Sequence, residues 1–167
     1  MAWVRSEYAG ELAVLSAWLA ALVPWNVTYS TDVLGGSLLY VRFTLLQVRF
    51  AFGVGGVAPV SLADPVTAYA VQRGTTAGVA YLAWLAGAAV VLLALALSVV
   101  YYAREARVEA GPVDPVRLTG VLLVAAGVAL GAATVLLATR GIPGLPLPLG
   151  VVAELALGVA LLRVERT

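Results

Sequence analysis

Long apolar runs alternate in this chain with one stretch where polar and apolar positions interleave. Four runs, residues 8–25, 75–103, 117–139 and 147–162, approach the roughly 20 apolar residues that a membrane-crossing helix needs. Pro24 ends the first run, and Trp25 and Tyr29 suit an aromatic belt at a membrane surface. Asp64-Pro65 and Asp114-Pro115 each put a capping carboxylate before a proline at the first helical position, so helices are expected to start there. Val66, Tyr69 and Ala70 with Arg73 form an amphipathic lead-in to the second run, and Tyr101 and Tyr102 mark its far interface. Gly111-Pro112 breaks the chain before the third run. Residues 141–150 carry three prolines and three glycines, a stiff turn that favours an antiparallel helical hairpin. The expected fold is therefore an all-α membrane protein, one integral domain over 1–167 with four transmembrane helices and an extracytoplasmic, partly β cap at 26–74.

The cap is too long to be a plain connector. Val-Arg-Phe occurs at 41–43 and again at 48–50, with Gly35-Gly36 before and Gly53, Gly55 and Gly56 after. β-Branched and aromatic residues between such glycines predict a two-stranded hairpin over 37–53. Pairing Thr44 with Gln47 across Leu45-Leu46 would set Arg42 opposite Arg49, an unfavourable like-charge pair. It calls for an anion nearby, with Asp32, Asp64 or lipid phosphate as candidates. Leu-Leu lacks the Gly or Asn of tight hairpin turns, and a spacing of seven also puts both Arg on one face of a helix, so a helical reading stays open. In either case Tyr40, Phe43, Phe50 and Phe52 are expected around the Arg pair. The pair serves either a cap bound to lipid head groups or an anion-binding or partner-docking surface.

Composition sharpens the class. The 167 residues are 62% hydrophobic and 11% charged, with a mean hydropathy of +1.00. Soluble domains are about 45–50% apolar and about 25% charged, and a chain this short cannot hide such an excess from water. Lipid is the expected solvent, and disorder is excluded because it needs the opposite balance. A net charge of +1 offers no basic face for nucleic acid. Glu7 and Glu11 occupy the place where a signal peptide would be basic, so the first run reads as a retained anchor.

Arginine counts set an expected orientation. Four spans put both termini and the 104–117 loop on one side with Arg5, Arg104, Arg107, Arg117, Arg163 and Arg166, against Arg42, Arg49, Arg73 and Arg140 on the other. Both termini are therefore expected in the cytoplasm. Asn26-Val27-Thr28, an acceptor sequence for glycosylation, would face outward.

Candidate chemistry is sparse. The chain has no Cys and no His, and all ten basic residues are Arg. Thiol and His-based catalysis, His/Cys metal sites and a Ser/Lys dyad are thus impossible. No phosphate-cradling loop is present, and Gly53-Val54-Gly55-Gly56 lacks the lysine of one. Neither cofactor, metal nor catalytic residue is expected. Two acids fall inside the runs, where charge is costly and function is the usual reason for it. Glu154 serves either packing, bonded to Thr134, Thr139 or Arg140, or a proton or cation site. Glu11 is expected to pair with an interfacial Arg. Gly127-x-x-x-Gly131, continued by Thr134 and Ala138, is a small-residue stripe for close helix packing, as are Gly150 and Gly158 around Glu154.

The segment Trp3-Val-Arg-Ser-Glu-Tyr-Ala-Gly-Glu-Leu12, the Pro24-Trp25 pair, Val41-Arg42-Phe43 and Gln47-Val-Arg-Phe50 resemble an uncharacterised family of small multi-pass membrane proteins from halophilic archaea. The resemblance covers mainly residues 1–75. It implies a membrane location and supplies no catalytic residues; the loops depart from it in not being strongly acidic. The expected function is non-catalytic: an accessory or scaffolding subunit, in the lipid bilayer, that binds another membrane protein or its own copies. The alternative is a small oligomeric transporter or channel using Glu154.

Overall fold

A computed structural model describes residues 8–104, 113–141 and 144–164. Their elements run α1 (Ala9–Leu22), β1 (Asn26–Val33), β2 (Gly36–Arg42), β3 (Gln47–Phe52), β4 (Val60–Ala63), α2 (Pro65–Gln72), α3 (Gly78–Ala103), α4 (Pro115–Arg140), β5 (Leu145–Leu147) and α5 (Leu149–Leu162). The Gly111-Pro112 break and Arg5, Glu7, Arg107 and Arg166 lie outside the described residues.

This is not the all-α four-helix membrane protein expected from the apolar runs. Strands from two separate stretches of chain form a five-stranded antiparallel sheet in the order β4-β3-β2-β1-β5. Among the described residues only α3 and α4, 26 residues each, are long and apolar enough to cross a membrane. At 1.5 Å per residue they measure about 39 Å, whereas the 14 residues of α1 and of α5 reach about 21 Å, short of a hydrocarbon core about 30 Å thick. Apolar run length failed as a guide because strands begin close to both short helices: α1 stops at Leu22, with β1 starting at Asn26, and β5 takes Leu147 from the head of the expected fourth helix.

Capping chemistry placed the helix starts well. The Asp64 carboxylate accepts from the Val66 and Thr67 amides at 2.9 and 3.0 Å and from the Thr67 hydroxyl at 2.6 Å, which holds its pKa below the usual carboxylate value. Asp114 accepts from the Val116 amide at 2.9 Å at the head of α4.

The 37–53 hairpin forms, but two residues out of the expected register. Arg42 pairs with Gln47 and Tyr40 with Arg49, so the two guanidinium groups are not opposite one another. Leu45-Leu46 lacks the Gly or Asn that a tight two-residue turn favours, and the chain uses 43–46 instead, closed by Phe43 N–H donating to Leu46 O at 2.7 Å. The β1–β2 turn does use such angles, with Leu34 at φ 51° and Gly35 at φ 80°.

The sheet stands at one end of the helices. Thr44, in the β2–β3 turn, donates to Ala20 O near the end of α1 at 2.6 Å, and Trp84 of α3 donates to Thr44 O at 2.8 Å. Gly150 N–H donates to Pro24 O at 3.0 Å, and a Cβ on Gly150 would lie 2.7 Å from the Trp25 Cα, so only glycine lets α5 begin against the entry to β1. Trp25, Tyr81, Trp84, Leu130, Ala133 and Val151 form the core beneath the sheet. A second core joins α1, α3, α4 and α5 farther along through Ala13, Val91, Leu123, Ala126 and Leu161.

Candidate functional site

Residues paired directly across an antiparallel sheet share a face, so the register sorts the side chains into two sets. One face carries two complete rows that cross all five strands. The first row is Leu147, Val27, Val41, Val48 and Leu62; the second is Leu145, Tyr29, Leu39, Phe50 and Val60. Phe52, opposite Ser37, extends this face. The other face carries Asn26, Thr28, Tyr40, Arg42, Gln47, Arg49 and Ser61.

The polar face is the buried one. Asn26, Thr28, Ser30, Tyr40, Arg42 and Gln47 are buried, whereas Tyr29, Phe52, Val60, Leu62, Leu145 and Leu147 are exposed and Val27, Leu39, Val41, Val48 and Phe50 half-buried. A sheet with one wet face normally turns its apolar side to the core. Here the alternation is inverted, and no charged residue stands in either apolar row.

Arg42 explains how the polar face tolerates burial. Its side chain is 3% exposed. Nε donates to Gln47 Oε1 at 3.0 Å, and Nη1 donates to Asn26 Oδ1 and Thr28 Oγ1, both at 2.9 Å. The guanidinium carbon lies 4.6 Å from the centre of the Tyr40 ring, a cation–π distance. Thr28 donates onward to Asn26 Oδ1 at 2.8 Å, which fixes the Asn26 amide and leaves its Nδ2 without a partner. Burial pushes the Tyr40 phenol upward and nearby Tyr81 adds to this; Arg42 and Arg49 pull it partly back.

Neither Arg42 nor Arg49 forms an ion pair among the described residues, so Asp32 and Asp64 do not supply the expected counter-charge. The crevice lined by Arg42, Trp25, Ala80, Tyr81, Trp84 and Leu137 has no room for a water molecule. The charge is met by neutral acceptors and a ring face, which makes Arg42 a strut between three strands. Arg49 shares its face but is half-buried, with Nε unpartnered. The aromatic residues expected around the pair divide: Tyr40 lies with them, Phe50 and Phe52 stand on the opposite face, and Phe43 lies in the turn.

Glu154 is 2% exposed and neither carboxylate oxygen has a hydrogen-bond partner. Thr134 and Thr139 instead bond to Leu130 O and Val135 O of their own helix at 3.0 and 2.9 Å. Gly150 and Gly158, one turn away on either side of Glu154, pack against the Pro24–Trp25 backbone and against Val124 and Gly120 of α4. Gly127 is closed over by the Leu155 side chain, and Gly131 has ordinary contact with Val151. Glu11 lies at the other end of the helices, exposed beside Val14, Leu15, Tyr101 and Tyr102.

The sequence profile of a family of unknown function (DUF7549) matches residues 2–166. The chain belongs to that family. No curated protein matches it. Membership carries no activity with it, and the feature with functional content is the inverted sheet, which was not among the sequence expectations. The signal was present: Asn26-Val27-Thr28-Tyr29-Ser30 alternates strictly, and Val60-Ser-Leu62 and Leu145-Pro-Leu147 repeat the period. Each piece is short, and only strand pairing shows that the apolar positions fall on one side.

Proposed function

We propose that this is a non-catalytic, membrane-embedded binding protein whose outer sheet face takes a protein partner. The observation that carries the reading is the pair of uncharged five-residue rows on the outward face of the sheet, five of the ten residues exposed and five half-buried. Single exposed apolar residues are ordinary, but contiguous patches of this kind mark interaction surfaces.

The long helices support the membrane part. Only 33% of the most apolar 18 residues of α3 and 39% of those of α4 are buried within the chain, whereas a soluble core helix would be mostly covered. Leu82, Leu92, Leu93 and Val99 on α3 and Val121, Val128 and Val135 on α4 are exposed apolar positions, suited to lipid contact. In this reading α3 and α4 cross as a hairpin with the sheet outside. Arg104 and Arg117 then flank the cytoplasmic end.

A transporter built on Glu154 has less behind it. The carboxyl is unpartnered but clamped between glycine contacts within the helix interface.

Extraction in mild detergent tests the binding reading. The chain should emerge in fixed stoichiometry with a protein partner, and Leu39→Arg, which sets a charge at the centre of the face, should release it while circular dichroism stays unchanged. Association that survives Leu39→Arg would move the binding surface elsewhere; wild-type chain recovered alone as a monomer would end the reading.

A further inference from the structure

We infer that the occupant of the outer face is a second copy of this chain, the two sheets stacked face to face about a two-fold axis. The inference rests on the binding reading above and names its partner.

Three observations select a copy over other occupants. The face offers no charge, and the Tyr29 hydroxyl is the only polar side-chain group in its two rows. A complementary surface must be flat, apolar and uncharged, and every copy of the chain carries one; a two-fold interface joins one patch to itself. Stacked sheets meet about 10 Å apart with interdigitated side chains, a geometry that two such rows on each side can fill.

The size also fits. Six of the eleven residues are 46–73% exposed and the other five half-buried, a patch on the order of the roughly 800 Å² that one partner gives a standard interface.

The sheet edges exclude the remaining geometries. β5 is three residues long with Pro146 at its centre, which has no N–H to donate, and β4 has four residues, so edge-to-edge extension has little to pair with. Those open edges would leave backbone polar groups unsatisfied in hydrocarbon, so the sheet is not lipid-immersed.

The chain lacks cysteine, so single cysteines report cleanly. Leu39→Cys lies on the central strand, close to a two-fold axis that runs between the stacked sheets across the middle of the face; Leu34→Cys lies 79% exposed in the β1–β2 turn, off the face. Purified full-length chain would be oxidised with copper–phenanthroline in mild detergent and in phosphatidylcholine vesicles, and the mass of the detergent-solubilised protein measured by light scattering. Leu39→Cys should give a disulfide-linked dimer in both media and Leu34→Cys should not. The wild-type mass should correspond to two chains and fall by half in Leu39→Arg. Tyr29→Arg, on the neighbouring strand, should do the same if Leu39→Arg fails to fold. A wild-type mass of one chain in detergent, with no Leu39→Cys cross-link in vesicles, overturns the inference. So does a dimer indifferent to both substitutions, which would be held by its helices. A monomer that nevertheless retains an unrelated protein, released by Leu39→Arg, refutes the second copy while sparing the binding reading. A chain with neither copy nor partner refutes both.

Discussion

Trp84→Ala is expected to destabilise the protein by about 3–5 kcal/mol, the range for deleting a buried indole. Trp84 is 1% exposed and holds sheet and helices together at one point. Its ring packs against Trp25 with centroids 6.1 Å apart and edge-on to Tyr81 at 6.0 Å. Its Nε1–H donates to Thr44 O, and Thr44 in turn donates to Ala20 O. Alanine removes the packing, opens a cavity beneath the sheet and leaves a buried carbonyl without its donor. For a chain of this size that loss corresponds to a fall in Tm on the order of 10 °C. Thermal unfolding in mild detergent, followed by circular dichroism, would measure it. A fall of only one or two degrees would mean that Trp84 does not join the two parts.

Arg42→Ala should cost about 2–4 kcal/mol, the net of two opposing effects. Burying a guanidinium without a carboxylate is expensive, and alanine relieves that cost. Against this, three charge-assisted hydrogen bonds disappear together with the ring contact to Tyr40. Gln47 Oε1 keeps only a long contact from the Tyr81 hydroxyl at 3.5 Å. The losses win because the acceptors stay buried when their donor leaves. Arg42→Met should lose less than alanine because it refills the stem's volume. Chemical denaturation of the two variants would separate the packing and bonding contributions. If Arg42→Ala proved neutral or stabilising, the burial cost would outweigh the bonds, and Arg42 would not be the strut described above.

Local chemistry was legible in the sequence where a few neighbouring residues decide the outcome. Asp64-Pro65 and Asp114-Pro115 start helices because cap and proline act within one turn. The Val-Arg-Phe repeat gave a hairpin because glycines bound it on both sides. The rest depended on contacts distant in the chain. β5 exists because Leu145–Leu147 finds β1, more than a hundred residues earlier, and a three-residue alternation is too short to announce a strand by itself. Helix length misled for a related reason, since an apolar run does not say where helix yields to strand. Arg42 and Arg49 were recognisable as a pair on one face. Their surroundings were not, because a two-residue change in register exchanges the partner of each.

In the native membrane the apolar rows are expected to be covered, and site-specific labelling tests this directly. Leu62, 66% exposed, lies in the first apolar row, and Leu34, 79% exposed, lies off the face in a turn at the same end of the protein. Membranes containing Leu62→Cys or Leu34→Cys would be treated with a membrane-impermeant maleimide and the labelling rates compared. A covered face predicts rapid labelling at position 34 and labelling at least tenfold slower at position 62, with detergent-separated monomer restoring the rate at 62. Equal, rapid labelling at both positions in intact membranes would show the sheet face bare and contradict the account.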